Sequence, residues 1–478
     1  MSALLSIPFF GSELILVVSF FIAMALDFAF SDKKWVAYFT LAALALAWWF
    51  GPPAGASVRL FFGSFVWDPV THFFKGLIYG TIGLTVIASL AYEQIPGRIR
   101  GEFYMLLVAL ALLLTVMGAS VNLLMIFLAI ESVSLTSYLL VGFQKFDQRA
   151  SEAALKYVLF GAVSTALMLF GMSLLFGITG SIELSIIGAH IAKLDAASQT
   201  LALIGMLFVL AGIGFKISVV PFHFWAPDVY QGAPTPITAF LTIAPKALGF
   251  AVLARVFLTA FPFFMAQWAT LFSFLAILTM TIGNVLAVSQ HDIKRLLAYS
   301  SIAQAGYILV GLAAPSSLGL QAILVYVIAY LFTNLGAFFA VLAIERQLRT
   351  NDIGAYNGLA KRNPFLALSL TIFLLSLAGI PPLAGFIGKI FIFASAVKEH
   401  AFALAIAIAL NSAVAAYYYF KVVKAMYLTP ADSAERIENP MPTRIAICIT
   451  LAGTIAIGIW PTVLIRFAEQ ALIVFPAF

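Results

Sequence analysis

GFKISVVPFHFWAPD occupies residues 214–228. Lys216 ends a long apolar run, Pro221 follows five residues later, and His223 and Asp228 come next. Proline lacks the backbone donor and clashes with the carbonyl four residues back, so it breaks the helix that such a run forms. In hydrocarbon the freed backbone groups must be satisfied by neighbouring helices, side chains or water. A charged side chain at mid-bilayer costs at least ~2.5–3.5 kcal/mol and usually faces the bundle interior. A lysine beside a helix break is therefore the pattern of a transporter site. A lysine in a dry site is also a group that gains and loses a proton, and so a proton carrier.

The composition supplies the membrane. The chain has 478 residues, 63% of them hydrophobic and only 10% charged, where soluble globular chains carry about 25% charge. Counting runs of roughly 20 apolar residues predicts about fourteen transmembrane helices. They lie at 11–30, 35–51, 73–93, 103–119, 121–143, 153–178, 200–225, 236–259, 267–289, 295–314, 319–345, 364–396, 401–427 and 443–472. The fold class is an all-α polytopic membrane protein. The links are short and leave no room for a soluble domain. The first run lacks a basic start and carries Glu13 and Asp27, so no cleavable signal peptide is expected.

The net charge of +6 comes from the links and does not point to nucleic acid. Links after odd-numbered helices hold Lys33, Lys34, Arg98, Arg100, Lys145, Arg149, Lys294, Arg295, Arg346, Arg349, Lys361, Arg362, Arg436 and Arg444. Links after even-numbered helices hold Arg59, Lys193 and Lys398. The positive-inside rule places the odd links in the cytoplasm and both termini on the opposite face, the periplasm of a bacterium.

One cysteine, Cys448, excludes an internal disulfide and iron–sulfur ligation. The histidines, His72, His190, His223, His291 and His400, share no helix at ligand spacing, so neither haem nor metal is expected. No Gly-rich phosphate loop leads from a strand into a helix. The expectation is a chain without a bound cofactor.

Four charges fall at helical depth: Glu131, Lys216, Lys246 and Lys389. Lys246 follows Pro245, and Lys389 follows Pro381 and Pro382, so Pro221, Pro245, Pro381 and Pro382 are the expected helix breaks. Glu131 also fits a carboxylate that pairs a lysine simply to hold two helices together. Lys216 also fits a snorkelling residue near a helix end. Glu152 and Lys156 stand at i and i+4 in the favourable order, as a working pair or an interfacial one. His223, beside aromatic neighbours, is either a titrating group or a packing residue.

The broken helices are the seventh and the twelfth. An odd separation makes them cross in opposite directions, which predicts two inverted five-helix repeats, helices 4–8 and 9–13. The segments are then 1–100, 101–260, 261–430 and 431–478.

Three stretches carry a resemblance: GFKISVVPFHFWAPDVYQGAPTPITAFL (214–241), QHDIKRLLAYSSIAQAGYILVG (290–311) and LAGIPPLAGFIGK (377–389). They resemble the antiporter-like subunits of bacterial NADH:quinone oxidoreductase, complex I, over essentially all fourteen helices. WAPDVYQGAPTPITAF is similar to the N type of these subunits. A lysine at position 389, where the M type has a glutamate, agrees with that. So does the lack of the long lateral helix of the L type. The first three helices, absent from the mitochondrial counterpart, point to a bacterial source. The resemblance implies NADH oxidation by quinone coupled to outward proton transfer. It implies that Glu131 and Lys216 form an ion pair that opens and closes, that Lys246 is the central relay and that Lys389 lies nearest the exit or the next subunit. Glu152, Lys156 and His223 take supporting roles. FMN, iron–sulfur clusters and quinone are expected in partner subunits. The expected partners are the adjacent M-type subunit, small subunits such as K and J, and phospholipids, in the bacterial inner membrane.

Competing readings are a multisubunit sodium/proton antiporter, a membrane-bound hydrogenase subunit and a non-transporting scaffold. Sodium calls for carboxylate and carbonyl oxygens, and the mid-membrane series is mostly lysine. A scaffold needs no charges inside the membrane.

Overall fold

The computed structural model describes residues 3–53, 55–431 and 435–472. The two chain ends, whose side of the membrane is an expectation above, lie outside the described residues, as does the tail of the 431–478 segment. Fourteen segments run through the bundle, numbered here as spans 1 to 14. They are Gly11–Ala29, Lys34–Trp49, Pro69–Ser89, Arg100–Ala119, Leu123–Val141, Gln148–Thr179, Ala196–Ile217 with Trp225–Gly232, Thr235–Ala260, Met265–Val288, Ile293–Ala313, Ser317–Leu348, Pro364–Ala378 with Ala384–Lys398, Phe402–Leu428 and Met441–Ile459. Twelve are long and apolar enough to cross a membrane unaided. Span 2 is shorter, and span 12 crosses as two halves.

Caps explain where several spans begin. Span 3 starts at Pro69, not 73, because Asp68 accepts from the Thr71 amide at 2.8 Å and Pro69 fills the first turn. Span 6 starts at Gln148, not 153, because Asp147 accepts from the amides of Arg149 and Ala150. The expected fourteenth helix, 443–472, divides at Trp460 into Met441–Ile459 and a short helix Thr462–Ala471. Pro461 has no N–H to continue the ladder. A small hairpin (Val58–Leu60 with Phe65–Trp67) and a helix (Leu184–Ile191) cover the even-link face and were not expected.

Spans 7 and 12 break by the same backbone device. Ser218 (φ 59°) and Gly379 (φ 92°) are left-handed. The next amide in each case, Val219 or Ile380, turns back to Gly214 O or Leu375 O at 3.0 Å. Every one of these positions is offset by 161 residues, as are Pro221 and Pro382. The helices thus end four residues before those prolines. Both prolines follow cis peptide bonds.

Pro245 does not break its helix: span 8 is continuous from Thr235 to Ala260. The carbonyl that Pro245 deprives of a donor is Leu241 O, four residues back. The Tyr230 hydroxyl donates to it at 3.4 Å, so a neighbour takes the lost partner's place.

Spans 8, 10 and 11 form the centre and are buried nearly all round. Outer spans turn large apolar side chains outward, among them Phe28, Leu139 and Phe170, as a surface bathed in lipid requires. Gly249, one turn beyond Lys246, admits span 7: a Cβ there would lie 2.4 Å from Ile217 Cγ2. That contact sets the broken end of span 7 against the middle of span 8.

Candidate functional site

Lys216, Lys246 and Lys389 are all buried, at 2%, 3% and 7% exposure. Each rests on a neutral oxygen. Lys216 Nζ donates to Ser134 Oγ of span 5 at 3.0 Å. Lys246 Nζ donates to Ser301 Oγ at 2.6 Å and Ser301 O at 3.0 Å. Lys389 Nζ donates to Ala378 O at 2.8 Å and lies 4.7 Å from the Tyr307 ring centroid. An ammonium held this way lacks the counter-ion that makes burial tolerable, so its charge is sensitive to any charge that arrives nearby.

The double proline explains the last of these contacts. Within a helix, Leu377 O and Ala378 O would accept from residues 381 and 382, and both are prolines. Gln304 Nε2 takes Leu377 O at 3.3 Å, and Lys389 takes Ala378 O. The break creates the acceptor on which the lysine sits. A Cβ at Gly379 would lie 2.7 Å from Lys389 Cδ. Gly379→Ala is therefore expected to push Lys389 off Ala378 and to cost about 1–2 kcal/mol in the left-handed backbone alone. A thermal-unfolding scan of the purified assembly checks the cost.

Glu131 stands one turn from Ser134 on span 5. It lies within Coulomb reach of Lys216 and against the Thr165 hydroxyl, but makes no direct ion pair with that lysine. The lysine takes Ser134 instead, and Glu131 Oε2 is buried without a partner. His223 lies in the segment between the halves of span 7, beside the Phe224 ring at 4.4 Å, with its Nδ1 unpartnered.

Hydroxyls and amides lie between the lysines. The Tyr230 hydroxyl lies against both Ser218, at the break after Lys216, and Ser301, under Lys246. Gln304, one turn from Ser301 on span 10, bonds Leu377 O and accepts from the Tyr326 hydroxyl. The next carbonyl, Ala378 O, holds Lys389. Hydroxyl and amide side chains both donate and accept; Ser218 Oγ, between Lys216 and Tyr230, is buried without a hydrogen bond. Ser301, Gln304, Tyr230 and Tyr326 were not singled out from the sequence. Their only signal was polarity within apolar runs.

Glu152 and Lys156 pair at 2.8 Å on span 6, both partly exposed. Lys156 also holds Asp228 at 2.7 Å, and Asp228 holds Arg295 of span 10 at 2.6 Å. Asp228 stands 161 residues before Lys389, so the counterpart of that lysine in the other broken span is a carboxylate. All three side chains are about a third exposed. Asp228→Asn is expected to cost only roughly 1 kcal/mol, as exposed pairs do. Differential scanning calorimetry checks this, and a loss of assembly would contradict it.

Among the described residues no group of three or more His, Cys, Asp or Glu side chains comes together.

Residues 120–415 match the family model described as NADH:quinone oxidoreductase/Mrp antiporter, TM. NADH-quinone oxidoreductase subunit N of Moorella thermoacetica is 41% identical, over 95% of this chain and 95% of the relative. The subunit N of Trichlorobacter lovleyi is 42% identical, over 87% of this chain and 86% of the relative. A chain in the structure of respiratory complex I from Thermus thermophilus with bound Aureothin superposes with a TM-score of 0.81 at 33% identity, covering 96% of this chain and 99% of that one.

Proposed function

This chain belongs to the N-type antiporter-like subunits of NADH-quinone oxidoreductase, and from that premise we propose that protons cross it along Lys216, Lys246 and Lys389. It is a multi-pass membrane subunit of a proton-translocating oxidoreductase. The observation that carries the route is the set of three buried lysines, each on a neutral oxygen. Two charges 4 Å apart interact by about 4 kcal/mol at an effective dielectric near 20. A proton arriving that close to a lysine therefore weakens the lysine's hold on its own. Glu131 is the counter-charge for Lys216, with Ser134 between two states: lysine on the serine, as here, or lysine on the carboxylate. The Glu152–Lys156 pair, Asp228 and His223 support the halves of span 7.

Residues 101–260 and 261–430 are the two repeats, flanked by 1–100 and 431–478. The odd links face the cytoplasm, both termini the periplasm, and the membrane is the bacterial inner membrane. FMN, iron–sulfur clusters and quinone reside in partner subunits. An M-type subunit and small subunits such as K and J are its neighbours, with phospholipids in the gaps. The lysine series disfavours sodium as the transported ion, since hard cations require oxygen ligands.

Lys216→Ala in the intact complex is expected to lower proton transfer more than assembly. Vesicle acidification driven by NADH, normalised to complex content, measures this. Normal acidification in a fully assembled mutant would remove Lys216 from the route.

A further inference from the structure

The odd-link face holds a cavity of about 890 Å³, within the size range of small-ligand pockets. Segments after spans 3, 5, 7 and 11 supply most of its walls. Arg98, Lys145, Arg149 and Arg349 line it. All four are exposed, and none has an ion pair or a side-chain hydrogen bond among the described residues. Other cations of this face are held. Lys33 meets Asp27 at 2.9 Å, Arg295 meets Asp228 at 2.6 Å and Arg346 meets Glu93 at 2.6 Å.

The carboxylates at the cavity do not balance these cations. Glu345 accepts from the Thr235 hydroxyl and from Asn351 Nδ2 at 3.0 Å, and stands 3.9 Å from Lys294. Asp147 is turned to the amides of Arg149 and Ala150. Glu102 is the one open carboxylate among the described residues that line the cavity. Four open cations thus face one open carboxylate. The positive-inside rule accounts for cations on this face, but not for their gathering unpaired around one hollow. Two further features bear on what fills it. Asn351 Oδ1 lies at the cavity, buried without a partner, while its Nδ2 is committed to Glu345. That oxygen is an acceptor and calls for a donor. The Phe146 ring, 92% exposed, stands at the rim with Lys145 Nζ 5.2 Å from its centroid. Exposed aromatics of membrane proteins favour the headgroup level.

We infer that this cavity binds a phosphate ester that carries a free hydroxyl. Arginine offers forked donors that match phosphate oxygens, so Arg98, Arg149 and Arg349 grip the phosphate and Lys145 adds a point charge. The hydroxyl donates to Asn351 Oδ1. The glycerol headgroup of an anionic phospholipid has this chemistry, and so does a soluble glycerol phosphate. Basic pockets between transmembrane helices suit the headgroup. Bound there, the ligand ties the links after spans 3 and 5 to the link after span 11. The site is separate from the lysine route and does not depend on it.

The test is hydrogen exchange of the intact, detergent-washed complex in nanodiscs, read by mass spectrometry on peptides of this chain. The nanodiscs hold phosphatidylcholine alone, phosphatidylcholine with phosphatidylglycerol, or phosphatidylcholine with glycerol phosphate in the buffer. The link holding Lys33 and Lys34 shares the face but lies outside the cavity, so it reports the general effect of surface charge. Phosphatidylglycerol is expected to slow exchange in links 94–99 and 143–147 about fivefold beyond that control. Arg98→Gln with Arg149→Gln is expected to remove most of the slowing, at about fivefold weaker binding for each arginine lost. Equal slowing by glycerol phosphate, without phosphatidylglycerol, supports the phosphate ester and assigns it to solution. Slowing no greater than the control with either ligand, or equally strong in the double variant, overturns the site and leaves the four cations to topology alone.

Discussion

Lys246→Met is expected to slow proton transfer through this subunit about a hundredfold while leaving the complex assembled. Methionine matches the length and most of the volume of lysine, so the centre of span 8 keeps its packing. What disappears is the nitrogen that holds Ser301 Oγ at 2.6 Å. Tyr230 and Ser301 remain around the gap, both uncharged. An excess proton must then rest on neutral hydroxyls in a dry interior. An ion left there without a proper acceptor costs several kcal/mol, and about 2.7 kcal/mol is two decades of rate. Reconstituted complex, driven by NADH and followed with a pH-sensitive dye, reads this directly. A normal rate in fully assembled Lys246→Met would show that protons bypass span 8. Lys246→Arg makes a useful contrast. It keeps a charge that is never released, so it is expected to fail like methionine although the charge is present.

The lysines were legible because charge in an apolar run is costly enough to stand out in one sequence. Lys216, Lys246 and Lys389 were named from that signal, and all three are buried. The breaks in spans 7 and 12 were legible from Pro221 and the Pro381–Pro382 pair. Pro245 looked the same in sequence and behaves otherwise, because what decides is whether a distant group takes the orphaned carbonyl. Tyr230 does so for Leu241 O, and no local pattern announces it. The resemblance implied a Glu131–Lys216 pair that opens and closes, and the group that holds the lysine when it is open is another case. Ser134, a turn along from Glu131, takes the lysine, and serines in membrane helices are too common to flag. The links between lysines escaped for that same reason: Ser301, Gln304 and Tyr326 are ordinary residues whose role comes from what faces them. Helix ends were misjudged where a cap outweighed hydropathy, as at Asp68 and Asp147.

Lys75→Met is expected to destabilise the N-terminal three-span segment by about 3–5 kcal/mol, the usual result of stripping one partner from a buried pair. Glu13 of span 1 and Lys75 of span 3 meet at 2.6 Å, at 2% and 1% side-chain exposure. Ser12 bonds both, and the Trp67 ring lies 3.9 Å from the ammonium. Every direction around the lysine nitrogen is taken. This sealed pair differs from the lysine file, where Glu131 keeps an open oxygen and each lysine rests on a neutral group. Full satisfaction suits a clasp between two spans and leaves no path for a proton. Removing the lysine alone strands an ionised carboxylate in the membrane, and span 1 loses its hold on span 3. Removing both charges, as Glu13→Leu with Lys75→Met, is expected to recover most of the loss, because paired burial gains little over apolar packing. Native gels and thermal unfolding of the two variants beside the parent separate the cases. In whatever complex the double mutant forms, proton transfer per assembled complex is expected to equal that of the parent. A double mutant that assembles fully but transfers protons poorly would make Glu13 and Lys75 part of the route rather than a clasp.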